Sequence, residues 1–163
     1  MFKGAITAIA TPFKENGELD EESLRKLVEF QIKNKIDGIV PCGTTGESPT
    51  LSHDEHKRVI EITIDAAKGK VPIIAGAGSN STSHAIELTR QAANLGADAS
   101  LHVPPYYNKP TQEGIYLHFS EIAKAVDLPI ITYNIQGRTA VNIETQTLAR
   151  LAKEHSNIVG VKE

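Results

Sequence analysis

The sequence predicts an α/β fold in which parallel strands alternate with helices. Short runs rich in β-branched residues recur along the chain, and each is followed by apolar residues spaced three or four positions apart. The first pattern is typical of buried strands and the second of amphipathic helices. Five such strand–helix pairs and a sixth strand fill the chain. Regular alternation of this kind favours a parallel sheet with right-handed crossovers.

The predicted helices begin and end at recognisable caps between the strands. In chain order, the predicted strands cover 5–10, 36–41, 71–75, 97–103, 128–133 and 158–161. Asp20 can cap the first helix, and Ser52 with Glu55 can form a capping box for the second. Gly96 suits the C-terminal cap of the third helix. The last helix is predicted over 144–154.

Two architectures fit this alternation: an open doubly wound sheet and part of a (β/α)8 barrel. A complete barrel usually needs about 250 residues, and the chain has 163. Periodicity alone does not choose between the two. Since no linker, repeat or low-complexity segment divides the sequence, we expect a single domain over residues 1–163.

Composition excludes several classes of partner. Hydrophobic residues make up 40% and charged residues 23%, as in ordinary globular proteins. The formal net charge is −3 without a basic stripe, so we expect no nucleic-acid partner. Cys42 is the only cysteine, which excludes an intramolecular disulfide and a cysteine metal cluster. Because no apolar run reaches the ~20 residues that cross a bilayer and no secretory signal is recognisable, we expect a cytoplasmic protein without a membrane partner.

Polar residues that suit catalysis lie at the carboxyl ends of the predicted strands. Lys162 ends the sixth strand, where its amine can act as a nucleophile or be an ordinary solvated lysine. In a parallel α/β fold, the loops after strands two, four and five open toward the same side. We therefore expect the turn 43–47, the loop 105–110, and Tyr133–Asn134 with Arg138 to converge near Lys162.

Each of these stretches also has a purely structural interpretation. The turn 43–47 can approach an anion through its glycines and hydroxyls, or simply precede a capped helix. Tyr106 and Tyr107 suit proton relay and carboxylate contact, or packing. Arg138 has the bidentate geometry for a carboxylate, or makes a surface salt bridge. The turn 76–78 lacks the complete dinucleotide fingerprint, and we interpret it as structural.

The histidines form no metal signature. His53 and His56 lie three residues apart on one predicted helix, and a solvated helix face explains this spacing better than a metal site. His102 lies within a predicted strand, where we expect a hydrogen-bonded interior histidine.

Four motifs together resemble the dihydrodipicolinate synthase branch of the pyruvate-dependent aldolases, the family that includes N-acetylneuraminate lyase. They are GTTGES at 43–48, PYYNKPTQEG at 105–114, YN followed by GRT within 133–139, and VGVKE at 159–163. Their order and spacing agree over all 163 residues. The double-threonine turn, the tyrosine loop and Arg138 favour the synthase over the neuraminate lyase branch.

The resemblance implies a (β/α)8 barrel, represented here by five βα units and the sixth strand. It also implies a Schiff-base aldol condensation in lysine and diaminopimelate biosynthesis. Lys162 matches the lysine that forms an imine with pyruvate, and burial at the barrel rim would favour its neutral amine. The resulting enamine would attack L-aspartate 4-semialdehyde, and cyclisation would give 4-hydroxy-tetrahydrodipicolinate. No cofactor or metal is implied, because the imine is the electron sink.

The resemblance also implies a role for each residue of the site. Tyr133 matches the proton donor and acceptor, and Thr44 and Tyr107 match the other members of its hydroxyl relay. Thr45 matches the residue that holds the pyruvate carboxylate. Arg138 matches the residue that receives the semialdehyde carboxylate. In the family the second tyrosine reaches in from a neighbouring subunit, which implies a homo-oligomer, either a dimer or a tetramer.

Some family members are inhibited by lysine at a cleft between subunits. The matching positions here are Ser48, His53, His56, Asn80, His84 and Tyr106. His84 stands where lysine-sensitive members carry a glutamate, an exchange that would weaken contact with the effector's ammonium group. Gln136 replaces a usual proline, which would loosen the loop before Arg138.

The sequence stops one residue beyond Lys162, whereas the family continues with the rest of the barrel. We therefore expect either a fragment of a longer gene product or a chain closed by self-association through unpaired strand edges. Two further functions stay open: a non-catalytic, self-assembling barrel fragment that keeps the motifs, and a related aldolase acting on another aldehyde. A third interpretation, a doubly wound domain that binds a phosphate or a nucleotide, is supported only by the two glycine-rich turns.

Overall fold

The computed structural model describes residues 2–163 and contains all six predicted strands. The strands are β1 (Ile6–Ala8), β2 (Gly38–Val40), β3 (Ile74–Gly76), β4 (Ala99–His102), β5 (Ile130–Tyr133) and β6 (Ile158–Lys162). The helices are α1 (Glu21–Lys33), α2 (His53–Ala67), α3 (Thr82–Leu95), α4 (Gln112–Ala125), α5 (Gln136–Thr139) and α6 (Thr145–Glu154), with a 3₁₀ turn at Ser48–Thr50. The chain divides into two compact units, the first comprising residues up to Gly76 with Asn94–Asp98, the second Ala77–Ala93 with Ala99–Glu163.

In the first unit, β1 and β2 form a parallel pair whose register sets Ile6 opposite Gly38. Ile39 of β2 also forms a parallel bridge with Ile73, just before β3. Helices α1 and α2 pack against each other. Parallel pairing between consecutive strands with an intervening helix is the arrangement that the βα alternation predicts.

Both predicted helix starts in the first unit are confirmed. The Asp20 side chain accepts a hydrogen bond from the backbone amide of Ser23 at 3.0 Å, ahead of α1. Before α2, the Ser52 hydroxyl accepts from the Glu55 amide at 3.3 Å, and the Glu55 carboxylate accepts from the Ser52 amide at 2.8 Å. These contacts satisfy backbone donors that a helix start otherwise leaves open.

In the second unit, β4, β5 and β6 pair in parallel in that order. Helices α4 and α6 cover a core that combines residues of both helices with residues of α3, of the strands and of the segment before α6. The buried members of this core are Ala85, Ile115, Tyr116, Phe119, Ile122, Ala123, Ile130, Ile143, Leu151 and Ile158. The α4 residues Tyr116, Phe119, Ile122 and Ala123, spaced three or four positions apart, are buried on this side of the helix.

A register shift separates the two halves of the β5–β6 ladder. Ile130 pairs with Ile158, but Ile131 pairs with Gly160, so Val159 is an additional residue on β6. A bulge of this kind changes which side chain faces which neighbour for the rest of the ladder. Its consequence is that Tyr133 lies opposite Lys162.

Five of the six strands are shorter than predicted, β6 extends one residue further, to Lys162, and the segment after β5 contains a short helix. The third strand is predicted from 71, whereas β3 begins at Ile74: Ile73 forms an isolated bridge with Ile39, and its amide donates to the Asp98 carboxylate at 2.8 Å. Between the predicted fifth strand, which ends at 133, and the predicted last helix, which begins at 144, α5 forms a single turn. The Thr139 hydroxyl donates to the Ile135 carbonyl at 3.0 Å across this turn.

The prediction of a solvated histidine face on α2 is wrong for His56. His53 is exposed, but His56 is 4% exposed and its Nε2 lies 2.8 Å from the Gly76 carbonyl oxygen. The helix turns His56 onto the side that also buries Val59 and Ile60, since residues three and four apart share a face.

Within residues 2–163, the structure contains no helix that is long and apolar enough to cross a membrane. The same part of the chain brings together no group of three or more histidine, cysteine, aspartate or glutamate side chains that could hold a metal ion.

Candidate active site

Lys162 and Tyr133 lie side by side at the carboxyl ends of two neighbouring strands. The bulge at Val159 makes them direct partners in the β5–β6 ladder. The Lys162 Nζ lies 3.9 Å from the centroid of the Tyr133 ring, a distance at which a cation is attracted to the ring face. The sequence predicted that both residues end strands, and the structure adds that they are in contact.

The amine of Lys162 is exposed, and no ion pair engages it within the described residues 2–163. The expectation that this lysine is buried is wrong for this structure. The physical reason is that β6 is the outer strand of the β4–β5–β6 ladder, and every residue of β6 after Ile158 is exposed. The amine is therefore open to a small electrophile.

Asn134, the residue after Tyr133, forms hydrogen bonds with the end of β6 and with the chain after α5. Its backbone amide donates to the Lys162 carbonyl at 2.9 Å, which extends the ladder by one bond beyond Tyr133. Its side-chain amide donates to Asn142 Oδ1 at 2.8 Å and to the Glu163 carboxylate at 3.1 Å. The sequence pointed to Asn134 only as part of a motif, and it gave no reason to expect these contacts.

Arg138 lies on α5, within the segment that follows β5. The Arg138 amide donates to the Ile135 carbonyl at 3.0 Å, and α5 ends at Thr139, with Ala140 as its C-cap at a φ of +60°. The Arg138 side chain is exposed, and no carboxylate pairs with it in the part of the chain that the structure describes. Its guanidinium is thus open to a ligand, and the surface salt bridge considered above does not form there.

The loop after β4 turns Tyr107 outward. Tyr107 is 89% exposed and has φ of +70°, and Lys109 two residues later has φ of +48°. Such left-handed backbone is uncommon for residues with a side chain. Asn80 and Asn108 hold this loop, because Asn80 Nδ2 donates to the Tyr106 carbonyl at 3.3 Å and Asn108 Nδ2 donates to the Asn80 carbonyl at 3.1 Å.

Among the six residues predicted for an effector cleft, Asn80, His84 and Tyr106 lie in the second unit. Asn80 contacts the backbone of Tyr106, and His84 Nδ1 lies 3.3 Å from the Ser79 hydroxyl. In the first unit, Ser48 begins the 3₁₀ turn, exposed His53 begins α2 and His56 is buried on the same helix. The cleft itself stays a prediction.

Thr44 and Thr45 lie in the first unit, in the turn after β2. The Gly46 amide donates to the Gly43 carbonyl, and the Glu47 amide donates to the Thr44 carbonyl, both at 3.1 Å. Within residues 2–163, no hydrogen bond uses the amide or hydroxyl donors of either threonine. Both side chains are exposed, so the turn offers four donors to an anion such as a carboxylate.

Thr11, in the segment that follows β1, supports this turn, and the sequence interpretation missed it. The buried Thr11 hydroxyl donates to the Gly46 carbonyl at 2.6 Å, across 35 residues of chain. The only sequence signal is a hydroxyl residue just after an apolar strand, which is too common to be specific.

The backbone at the start of this turn, at Cys42 and Gly43, also lies very close to Gly76 at the end of β3. The Cys42 backbone has φ of +54°, and a Cβ added to Gly76 would lie 2.0 Å from the Cys42 carbonyl oxygen. This contact supports the structural interpretation of the glycine turn at 76–78. Burial raises the pKa of the Cys42 thiol to about 12, so this cysteine is not a nucleophile at neutral pH.

The fold and these side chains define a class of protein. It is a parallel α/β protein with an exposed lysine at the end of one strand, in contact with a tyrosine at the end of the neighbouring strand. The chain belongs to the dihydrodipicolinate synthetase family, whose family model matches residues 1–163.

Two curated relatives of high identity carry the same name. The chain is 66% identical, over 163 residues, to the 4-hydroxy-tetrahydrodipicolinate synthase of Syntrophus aciditrophicus, covering 100% of this chain and 55% of the relative. It is 64% identical to the synthase of that name from Geotalea uraniireducens, covering 100% of this chain and 56% of the relative. The chain thus spans about half the length of the curated relatives it matches.

Solved structures agree with the fold. The dihydrodipicolinate synthase of Aquifex aeolicus matches with a TM-score of 0.97 at 53% identity, over 99% of this chain and 55% of that one. The chloride-inhibited synthase of Acinetobacter baumannii complexed with pyruvate matches with a TM-score of 0.97 at 54% identity, over 99% of this chain and 55% of that one. These similarities confirm the (β/α)8-barrel fold class and decide against the open doubly wound sheet.

Proposed function

We propose that this chain carries the Schiff-base chemistry of a 4-hydroxy-tetrahydrodipicolinate synthase, which condenses pyruvate with L-aspartate 4-semialdehyde. The observation that carries the proposal is the exposed Lys162 amine, 3.9 Å from the Tyr133 ring on the neighbouring strand. Membership of the dihydrodipicolinate synthetase family supports the same chemistry.

The first step forms the imine. The neutral Lys162 amine attacks the keto carbon of pyruvate, and the resulting carbinolamine loses water. A tyrosine hydroxyl can give a proton to the departing oxygen, and Tyr133 is adjacent to the amine. The open donors of Thr44 and Thr45 suit the pyruvate carboxylate.

The second step forms the carbon–carbon bond. Loss of a methyl proton converts the imine to an enamine, whose methylene carbon attacks the aldehyde of the semialdehyde. Attack of that substrate's own amine on the imine carbon closes the ring and releases Lys162. The free guanidinium of Arg138 suits the carboxylate of this second substrate, because its planar fork makes two parallel hydrogen bonds.

Assembly and location complete the proposal. Tyr107 is 89% exposed on a loop held by Asn80 and Asn108, which suits a side chain that serves the site of a neighbouring copy. We therefore propose a homo-oligomer, either a dimer or a tetramer. We also propose a cytoplasmic location, a cleft that binds lysine as an effector, and L-aspartate 4-semialdehyde as the aldehyde substrate.

The test is to trap the imine. We expect borohydride, added with pyruvate, to leave a stable secondary amine on Lys162 that peptide mass spectrometry locates. Lys162→Ala removes the nucleophile and should give no adduct, whereas Lys153→Ala on α6 removes an unrelated lysine and should trap normally. A folded wild-type protein without an adduct would overturn the proposal and favour a scaffold that keeps the motifs without the chemistry.

A further inference from the structure

We propose that Asn134 is a positioning residue that holds the Lys162 end of β6 and the Arg138 segment in one fixed arrangement. The inference rests on the proposed function, since it assigns to Asn134 the geometry in which the amine and the guanidinium act together. Asn134 touches neither substrate nor reacting atom in this scheme, and it acts through its neighbours.

On one side, Asn134 binds Lys162, the last residue of β6, and Glu163, which follows it. Its backbone amide donates to the Lys162 carbonyl at 2.9 Å, and its side-chain Nδ2 donates to the Glu163 carboxylate, at 3.1 Å to one oxygen and 3.4 Å to the other. The hydrogen bond to a carboxylate is charge-assisted and thus among the stronger kinds. These bonds keep β6 in the shifted register that sets Lys162 opposite Tyr133.

On the other side, Asn134 closes the segment that carries Arg138. Its Nδ2 donates to Asn142 Oδ1 at 2.8 Å, and its Oδ1 accepts from the Ile143 amide at 2.9 Å. One side chain therefore bonds both the residue that follows β6 and the chain that follows α5. Residues 135–141 form a loop closed at its base by this single amide group.

A second amide reinforces the far end of the loop. Gln112, at the start of α4, donates through Nε2 to the Asn142 carbonyl at 2.8 Å. Its Oε1 accepts from the Glu144 amide at 3.1 Å and from the Thr147 hydroxyl at 2.6 Å. The end of the loop at Asn142 is thus anchored to two helices, and Asn134 links that anchored end to β6.

The chemistry of the Asn134 side chain explains why an amide is needed. Asn134 is 9% exposed, so its polar atoms must find partners inside the protein. The amide donates to two acceptors and accepts from one backbone donor at the same time, which fixes its orientation. An aspartate of the same shape keeps only the acceptor and sets a second carboxylate against Glu163.

The test uses this difference. In Asn134→Asp, we expect the rate of borohydride-trapped pyruvate adduct on Lys162 to fall roughly a hundredfold, as misplacement by about 1 Å can cause. We also expect faster hydrogen exchange in 135–143 and 158–163 together. In the double variant Asn134→Asp with Glu163→Gln, the glutamine amide donates to the aspartate and the Asn142 amide can rotate to do the same. Trapping and exchange should then return toward wild type.

Asn157→Asp is the matched control. Asn157 Nδ2 donates to the carbonyls of Ala123 at 2.9 Å and Val126 at 3.2 Å, so this substitution also removes two amide hydrogen bonds beside β6. It should lower stability and leave the trapping rate unchanged. Equal loss of trapping in both variants would mean a merely structural role for Asn134 and would overturn the proposal.

The proposed function and the positioning role fail in different ways. If the wild-type protein forms no adduct, the proposed function fails, and hydrogen exchange alone decides the role of Asn134. Faster exchange of both segments in Asn134→Asp supports the role. Unchanged exchange, or a change confined to one segment, overturns it regardless of what pyruvate does.

Discussion

Tyr133 contacts Lys162 through its ring, whereas its hydroxyl has no hydrogen-bond partner among residues 2–163. The two parts of this side chain can therefore be separated by substitution. The ring provides attraction for the ammonium group, worth about 0.5–1 kcal/mol at an exposed site. The hydroxyl is the part that is available for proton transfer.

Tyr133→Phe keeps the ring and removes the hydroxyl. If the hydroxyl transfers protons, kcat for the condensation should fall by about 10²- to 10⁴-fold, with little change in stability. Steady-state kinetics and thermal unfolding measure the two effects. Tyr116→Phe is the control: it removes the hydrogen bond of 2.5 Å from Tyr116 to the Glu154 carboxylate, which should lower stability and leave kcat unchanged. A Tyr133→Phe variant with full kcat would exclude the proton-transfer role.

Among the elements, the turn after β2 depends on a glycine at the end of β3. A Cβ on Gly76 would lie 2.0 Å from the Cys42 carbonyl oxygen and 3.0 Å from the Gly43 nitrogen, both backbone atoms that cannot rotate away. The turn that offers the Thr44 and Thr45 donors is thus set by a contact from a different strand.

Gly76→Ala should destabilise the protein by about 3 kcal/mol, because overpacking against backbone forces the strand or the turn to shift. Urea unfolding measures the difference. Gly160→Ala on β6 is the control: a Cβ there meets nothing within 4 Å, and the change should stay within about 0.5 kcal/mol. Equal stability of the Gly76 variant and the wild-type protein would contradict the close approach.

Local sequence signals predicted the elements well where the decisive contacts are local. Asp20, Ser52 and Glu55 cap their helices as expected, since each contact spans three residues. The first five strands were predicted too long because a ladder ends where its neighbour ends. The α5 turn was missed because four residues give too little periodicity.

The site was predictable in its residue types but not in its contacts. The patterns indicated that Tyr133 and Lys162 end strands, yet their adjacency depends on the bulge at Val159, which no pattern reveals. The burial of Lys162 was wrongly expected, and the Thr11 contact was missed because it joins residues 35 apart. Whether Thr44 and Thr45 serve the same site as Lys162 stays a prediction.

At the scale of the whole molecule, two buried histidines couple stability to pH. His102 is fully buried, with Nε2 3.4 Å from the Thr89 hydroxyl, as expected for an interior histidine. His118 Nδ1 lies 2.9 Å from the Thr82 hydroxyl. Burial lowers the pKa of His102 to about 3, with a smaller contribution from the charge of His118, and burial lowers the pKa of His118 to about 4.

Both histidines are neutral when folded and bind a proton more readily when the chain unfolds. The stability that follows from this difference is present above pH 6.5 and is lost as the pH falls toward about 4 for His118 and about 3 for His102. We expect the free energy of unfolding to decrease by up to about 1.4 kcal/mol per pH unit for each histidine in this window.

Urea unfolding between pH 7 and 4 measures this slope. His118→Asn keeps a polar partner for Thr82 and removes one titrating ring, so its slope should be shallower than that of wild type. An equal slope in the two proteins would contradict the assignment to His118.

The outward position of Tyr107 gives the protein an optical probe. The sequence has four tyrosines and no tryptophan, so its ultraviolet fluorescence comes from tyrosine alone. Tyr116 is buried, beside the Arg150 guanidinium and the Glu154 carboxylate, whereas Tyr107 is 89% exposed. We expect iodide to quench Tyr107 first and Tyr107→Phe to remove most of the readily quenched emission. A loss of iodide quenching with rising protein concentration would then report, without any label, that copies of the chain cover this loop.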